Sequence, residues 1–294
     1  MADGTVLWIE KLIGDRTPSP AIARVLGVIS SEPETAAFAT AQQVATMAGV
    51  NVASATRCAQ YLGYRGWPDF VTDLRGHYLA TLTADRIMGQ SEAAFDRTVS
   101  SSIAEDIRML ELLLEAIDED EMVAAARMIA SARSTAVLAT GYCSGPGGVL
   151  AHGAQLFGFN VEQYAGSATA QINAARRLGE DDVLVVFNVW KTTDVINQLA
   201  LEAASRGVPL LVIADRSTAV TEAADHSILV SSGSPRYLPS MTGVFSVVQA
   251  VLKLIATEHR ENVEKSLRRV DQLWHGLGVV KDDPTALDVS AILD

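Results

Sequence analysis

TAQQVATMAGVNVASATRCAQYLGYRGWPDF, residues 40–70, reads as two short helices joined by a tight turn. Thr40 followed three residues later by Gln43 is a capping-box pattern, in which each side chain satisfies a free amide at the helix start. Gly49 is suited to the left-handed conformation that ends a helix, and Asn51 offers an oxygen to the free amides of a second one. Two helices so joined make a helix-turn-helix. The second runs from Val52 to Leu62 and stops at Gly63. Its inner face is expected to carry Val52, Ala55, Thr56, Ala59 and Leu62, and its outer face Ala53, Ser54, Arg57, Cys58 and Tyr61. Small and hydroxyl residues near the N-terminus of such a helix permit close approach to a major groove, where Arg57 reaches a guanine edge or a phosphate. The local pattern equally suits a helical hairpin in some other all-helical domain.

The words of the motif go further. Arg57, then Leu62, Gly63, Tyr64, Gly66, Trp67 and Asp69, resemble the N-terminal domain of the RpiR family of bacterial transcriptional regulators. That family usually has Ser where Asn51 stands and Thr where Ser54 stands; both changes keep the capping or contact chemistry. The resemblance implies a double-stranded DNA operator as partner, contacted by Thr40, Asn51, Ala53, Ser54, Arg57, Tyr61, Tyr64 and Arg65.

At 294 residues with 49% hydrophobic content, the chain can bury a large core and is expected to form two domains. It has no run of eighteen or more apolar residues and no basic-then-apolar start, which reads as a cytoplasmic protein without a signal peptide or membrane partner. Cys58 and Cys143 stand far apart, away from metal-ligand spacing, so neither a disulfide framework nor a zinc site is expected. The net charge of −12 counts against nucleic-acid binding by the chain as a whole. Between Asn51 and Tyr78, however, Arg57, Arg65 and Arg75 face only Asp69 and Asp73, a balance of +1. So weak a footprint requires several copies on one duplex, hence a homodimer or homotetramer.

In chain order, Thr5 to Ile13 suits a short packing helix. After Pro18-Ser19-Pro20, the residues Ile22, Val25, Leu26 and Ile29 form a helix stopped by Glu32-Pro33. Phe70, Leu74 and Tyr78 close the bundle. Ile103, Ile107, Leu110 and Leu114 mark a long amphipathic helix, and Asp118 with Glu121 caps another. Apolar strands then alternate with helices: 136–140, 161–164, 183–188, 209–214 and 227–230. The expected fold is an all-α helix-turn-helix domain joined to an α/β domain with a five-stranded parallel sheet covered on both faces, flavodoxin-like in plan. The expected division is 1–80 for DNA binding, 81–104 as helical linker, 105–260 for the sheet domain, and 261–294 as C-terminal helix and tail. A single long helix from Met241 past Trp274 is expected to make a subunit contact, and Lys281 to Asp294 a loose or swapped tail.

Ligands of such sheets bind beyond the carboxyl ends of the strands. There the sequence gathers Gly141, Ser144 and Gly145; Asn188, Lys191, Thr192 and Thr193; Asp215 to Thr218; and Ser232 with Ser234. Hydroxyls, amides at helix starts and one lysine suit a small anionic effector. In any one loop the same residues are ordinary helix caps. The Gly-rich turn lacks the G-x-G-x-x-G order because Cys143 stands at the second glycine, so no dinucleotide, and no other cofactor, is expected. This half resembles the sugar isomerase (SIS) domain that follows the helix-turn-helix in RpiR regulators, through the turn with Ser144, the run VIADRS and Asp225. The resemblance implies a sugar phosphate or related metabolite as effector. It departs where many SIS domains carry Ser-x-Ser-Gly-x-Thr: here stand Asn188-Val189-Trp190-Lys191-Thr192-Thr193, and only the last threonine is retained. Trp190 and Lys191 would fill or recharge the phosphate pocket, while Trp190 reads equally as a packing residue. His152 and Glu162 are the only acid/base candidates near this edge, and no residue is assigned a catalytic role. The expected function is a ligand-responsive regulator; the alternatives are a sugar-phosphate isomerase with an accessory helical domain and a metabolite-binding protein that has lost DNA contact.

Overall fold

Each helix of the first half starts where its capping side chain stands. In the computed structural model, which describes residues 4–82, 99–231 and 238–279, helix α1 (Gly4–Ile13) precedes α2 (Pro20–Ser31). Ser19 accepts the amide of Ile22, and Pro20 takes a first position whose N–H would go unpaired anyway. A one-turn helix α3 (Pro33–Ala36) leads to α4 (Ala41–Met47), where Thr40 and Gln43 make both bonds of the capping box, at 3.3 Å and 2.8 Å. Gly49 adopts φ 60°, and Asn51 accepts the amide of Ser54 at 3.0 Å to open α5 (Val52–Tyr61). Gly63 ends it at φ 104°, and α6 (Trp67–Thr81) buries Phe70, Leu74 and Tyr78.

The buried face of α5 differs from the sequence expectation. Ser54 and Cys58 are buried beside Ala55, Ala59 and Leu62, while Val52 is 44% exposed. The cause is that α2, α4 and α6 all pack on α5 and cover a wider arc than a single stripe. Burial pushes the Cys58 thiol up to about 12, so it stays protonated.

The second half opens with α7 (Val99–Ala116) and α8 (Glu119–Ser131). Residues 83–98 of the expected linker lie outside the described residues, and α7 begins inside the stretch read as linker. Asp118 caps α8 by accepting the amides of Asp120 and Glu121. Glu121 does not return the bond; its carboxylate accepts the Ser227 amide at 2.8 Å instead. On α7 the buried residue is Met109, with Leu113 packed against the core, whereas Ile103 and Ile107 are 56% and 53% exposed. The helix carries two apolar stripes, and its own core takes the one the periodicity did not single out.

Five strands follow: β1 (Thr135–Leu138), β2 (Val161–Gln163), β3 (Val183–Asn188), β4 (Leu210–Ala214) and β5 (His226–Leu229). All pair in parallel in the order β2-β1-β3-β4-β5. Between them run α9 (Ser144–Leu156), α10 (Ala168–Ala175), α11 (Asp194–Ser205) and the short α12 (Ala219–Glu222). Alternate residues of β3 point to opposite faces: Val185 and Phe187 join a core with α8, α9 and the following helix α13 (Thr242–Glu258), while Leu184 and Val186 pack with Ile196 and Ala200 of α11. The sheet is therefore covered on both faces, as uninterrupted apolar strands require.

The last helix is not continuous. His259, at φ −116° and ψ 33°, breaks it, and α14 (Arg260–Gly276) turns back so that Asn262 and Ser266 donate to the carbonyls of Phe157 and Leu156. Those carbonyls end α9 and have no partner within it, which is what the break satisfies. Val263 is buried there, while Leu267 and Leu273 remain 40% and 44% exposed. Residues 281–294, read as a tail, lie outside the described residues.

Candidate DNA-binding surface and effector crevice

Along α5, Asn51, Ala53 and Arg57 are exposed, as is Thr40 at the start of α4. Thr40 and Asn51 spend their side-chain oxygens on caps. Arg57 makes one long bond, 3.5 Å to the Ser54 hydroxyl, and otherwise projects from the bundle among the described residues. The other members of the expected contact set are committed to their own chain. Ser54 is 3% exposed and donates to Asn51. The Tyr61 ring lies under the Arg16 guanidinium, 4.7 Å from its centroid, and its hydroxyl is buried without a partner among the described residues. Tyr64 donates to Asp73 at 2.6 Å, and Arg65 pairs with Asp118 at 2.7 Å and with the carbonyl of Ala116 at 2.6 Å. Tyr64 and Arg65 face the sheet unit because the turn after Gly63 points the chain away from the exposed side of α5.

At the carboxyl edge of the sheet, the strand order reverses between β1 and β3, so the loops after those strands flank a crevice. Gly141, at φ 54°, starts the first loop, and Ser144 donates back to its carbonyl at 2.7 Å. Cys143 is buried and donates to the Val189 carbonyl at 3.7 Å; burial, with the nearby Asp215 charge, pushes its thiol up. Gly145 is exposed, with Phe245 close by. Gln163, at the end of β2, holds this loop by donating to the carbonyls of Ala139 and Ser144. No motif announced it.

In the second loop Asn188 is buried and bonded to Asn197. Trp190 has φ 61°, a left-handed conformation rare for a bulky residue. Its ring meets Tyr142 edge-on at 6.3 Å and lies beneath the Lys191 ammonium at 5.3 Å. Thr192 keeps a buried hydroxyl without a partner among the described residues, and Thr193 starts α11 with no side-chain cap bond. This crevice therefore offers one exposed ammonium, an orphan hydroxyl and two aromatic rings, with Trp190 and Cys143 taking up part of the space. Ser232 and Ser234 lie outside the described residues.

The β4 and β5 half of the same edge is covered by α6. Asp73 is fully buried and accepts the Ser217 amide at 2.6 Å as well as the Tyr64 hydroxyl. Arg75 is 2% exposed and donates to the carbonyl of Ala37, the hydroxyl of Ser231 and the sulfur of Met109. Mid-helix Asp73 and Arg75 are the residues that sequence reasoning did not single out as structural joints.

His152 stands exposed on α9, and Glu162 is engaged by the Tyr164 hydroxyl. No acid/base pair forms between them. At the opposite, amino edge, Asp182 is held down to about 2 by the Arg133 guanidinium, with help from Gly179 and Ser134, and serves as a strut. Among the described residues no group of His, Cys, Asp and Glu could hold a metal ion, and no helix is long and apolar enough to cross a membrane.

No family model and no curated protein matches the chain. Among solved structures it is similar to the sugar isomerase domain of an RpiR transcription factor from Sphaerobacter thermophilus, 24% identical with a TM-score of 0.56, over 58% of this chain and 96% of that one. It is also similar to the NanR protein of Vibrio vulnificus complexed with ManNAc-6P, 14% identical with a TM-score of 0.59, over 93% of this chain and 98% of that one. At these identities the likeness is one of fold. The sheet unit has the sugar isomerase fold, preceded by a helical bundle.

Proposed function

We propose that this protein is a DNA-binding transcriptional regulator whose sheet unit senses a small anionic metabolite, a sugar phosphate or a related carbohydrate compound. The observation that carries the reading is the exposed Arg57 face of a fully capped α5, projecting from a bundle joined to a sugar isomerase fold. The extent of the likeness to NanR, 93% of this chain, supports it. The units are read as 1–80 for DNA, 81–104 as linker, 105–260 for the effector and 261–294 as C-terminal helix and tail. His152 and Glu162, the acid/base candidates an isomerase would call on, do not meet among the described residues.

Paired copies are part of the reading. Val99, Ile103, Ile107 and Leu114 on α7 are 78%, 56%, 53% and 78% exposed, at spacings that align them on one side. Such a stripe suits burial against a second copy of this chain, alongside the exposed apolar residues of α14.

Arg57→Ala is expected to weaken operator binding by more than about tenfold at moderate salt, the loss of one good arginine contact, with oligomer size unchanged. A gel-shift titration on DNA captured from the genome, with sedimentation alongside, measures both; an unaltered titration overturns the reading. With a hexose 6-phosphate as probe, Lys191→Ala should weaken binding by roughly tenfold, as expected when a charge-assisted bond to an anion is lost. Calorimetry reads the difference, and equal affinities would move the anion site elsewhere.

A further inference from the structure

We propose that Asp215 is the positioning residue that ties the effector crevice to the DNA-binding bundle, so that the backbone conformation of Trp190 sets the seating of α6. This rests on the crevice between β1 and β3 being the effector site. Asp215 leaves the end of β4 fully buried. Its Oδ2 accepts the Trp190 amide at 2.7 Å, and its Oδ1 accepts the Arg216 guanidinium at 2.7 Å. Trp190 is the one residue other than glycine with positive φ among the described residues, and the bond to Asp215 is what holds its amide there.

The other side of Asp215 faces α6. Gly76 lies so close that a methyl group there would come within 2.6 Å of the Asp215 carbonyl carbon and 2.8 Å of Arg216 Cβ. The contact is backbone against backbone. No rotamer can absorb a displacement, so a shift of the 215–217 peptide is passed to the helix. One residue further, the Ser217 amide is bound by Asp73 of the same helix at 2.6 Å. A ligand that draws Trp190 out of its left-handed conformation takes a donor from a buried carboxylate. That group is costly to leave under-bonded, and the peptide carrying it moves toward another donor, with α6 seated on it.

A role for the Trp190 ring and a role for its backbone conformation separate by substitution. Trp190→Val removes the ring and disfavours positive φ, because a β-branched side chain resists it; Trp190→Gly removes the ring and leaves positive φ free. Amide hydrogen exchange on the full chain, without ligand or DNA, is the measurement. The valine variant should speed exchange at residues 73–77 of α6 by at least about fivefold, and the glycine variant should leave it within about twofold of the parent. Equal effects of the two variants would reduce Trp190 to a packing residue and overturn the proposal, as would unchanged exchange in α6 in both. Because no operator is present, failure here leaves the Arg57 titration intact as a test of DNA binding, and the Lys191 titration intact as a test of the effector site.

Discussion

Asp73→Ala should lower the unfolding free energy by about 4 kcal/mol, in the range found when a buried charged group's partner is removed. Asp73 is fully buried and receives the Tyr64 hydroxyl, the Ser217 amide and, at 3.3 Å, the His77 imidazole. Alanine strands these donors between the bundle and the sheet, around a position that is itself fully buried. Asp73→Asn keeps one acceptor oxygen and should lose only about 2 kcal/mol, the deficit of one mismatched donor. Urea denaturation at pH 7 distinguishes the two; a loss below about 1 kcal/mol for alanine would mean that the junction is already hydrated. The pH dependence has a definite sign. Burial pushes the Asp73 carboxyl up, but the His77 hydrogen bond and charge, then Ser217 and Tyr64, reverse the effect and hold it below its usual value. A carboxyl depressed on folding lends its stabilisation above its unfolded pKa of about 3.9 and loses it as the pH falls through the folded value. The parent should therefore lose stability more steeply than the alanine variant on acidification below about pH 4.

Why Asp73 escapes sequence reading follows from what α6 faces. The stripe Phe70, Leu74 and Tyr78 is legible because one side of the helix lies on the bundle. The opposite side, with Asp73 and Gly76, lies on the sheet edge, Arg75 reaches from the bundle to Ser231, and polar residues on an unseen side read as solvent-facing. Gly76 was the available signal: glycine inside a helix is unfavourable by about 1 kcal/mol relative to alanine, and here the 215–216 peptide needs the space. The capped helices were legible for the opposite reason. Ser19, Thr40, Asn51 and Asp118 act on amides within three residues, so their chemistry is local. The strands were legible from uninterrupted apolar runs, and with them the edge that carries the crevice. Its geometry was not: the left-handed Trp190 is held by Asp215, 25 positions away in the chain. The break at His259 was hidden likewise, since α14 turns back to reach carbonyls of α9 about a hundred residues earlier in the chain.

Arg75→Ala and Arg75→Met should part company. The guanidinium is 2% exposed, rests 5.2 Å from the Phe38 ring centroid, and bonds neutral acceptors: the Ala37 carbonyl, the Ser231 hydroxyl and the Met109 sulfur. Burial, then the charge of Arg108, pushes its pKa down to about 10. It is still charged at pH 7, and the depression from an ordinary value near 12.5 corresponds to roughly 3 kcal/mol spent on keeping a cation out of water. A base depressed on folding carries that penalty in full at every pH below its folded pKa, so a measurement at pH 7 sees all of it. Methionine retains the length and most of the packing volume and relieves the penalty, but leaves the Ala37 carbonyl without this donor at about 1 to 3 kcal/mol. Its stability should fall within about 1 kcal/mol of the parent. Alanine relieves the same penalty, forfeits the bonds and opens a cavity beside Phe38 and Met109, for a net loss of about 3 kcal/mol. Urea denaturation of both variants is the measurement. If methionine loses as much as alanine, the hydrogen bonds outweigh the burial of charge, and Arg75 holds bundle and sheet together by its bonds to Ala37 and Ser231 alone.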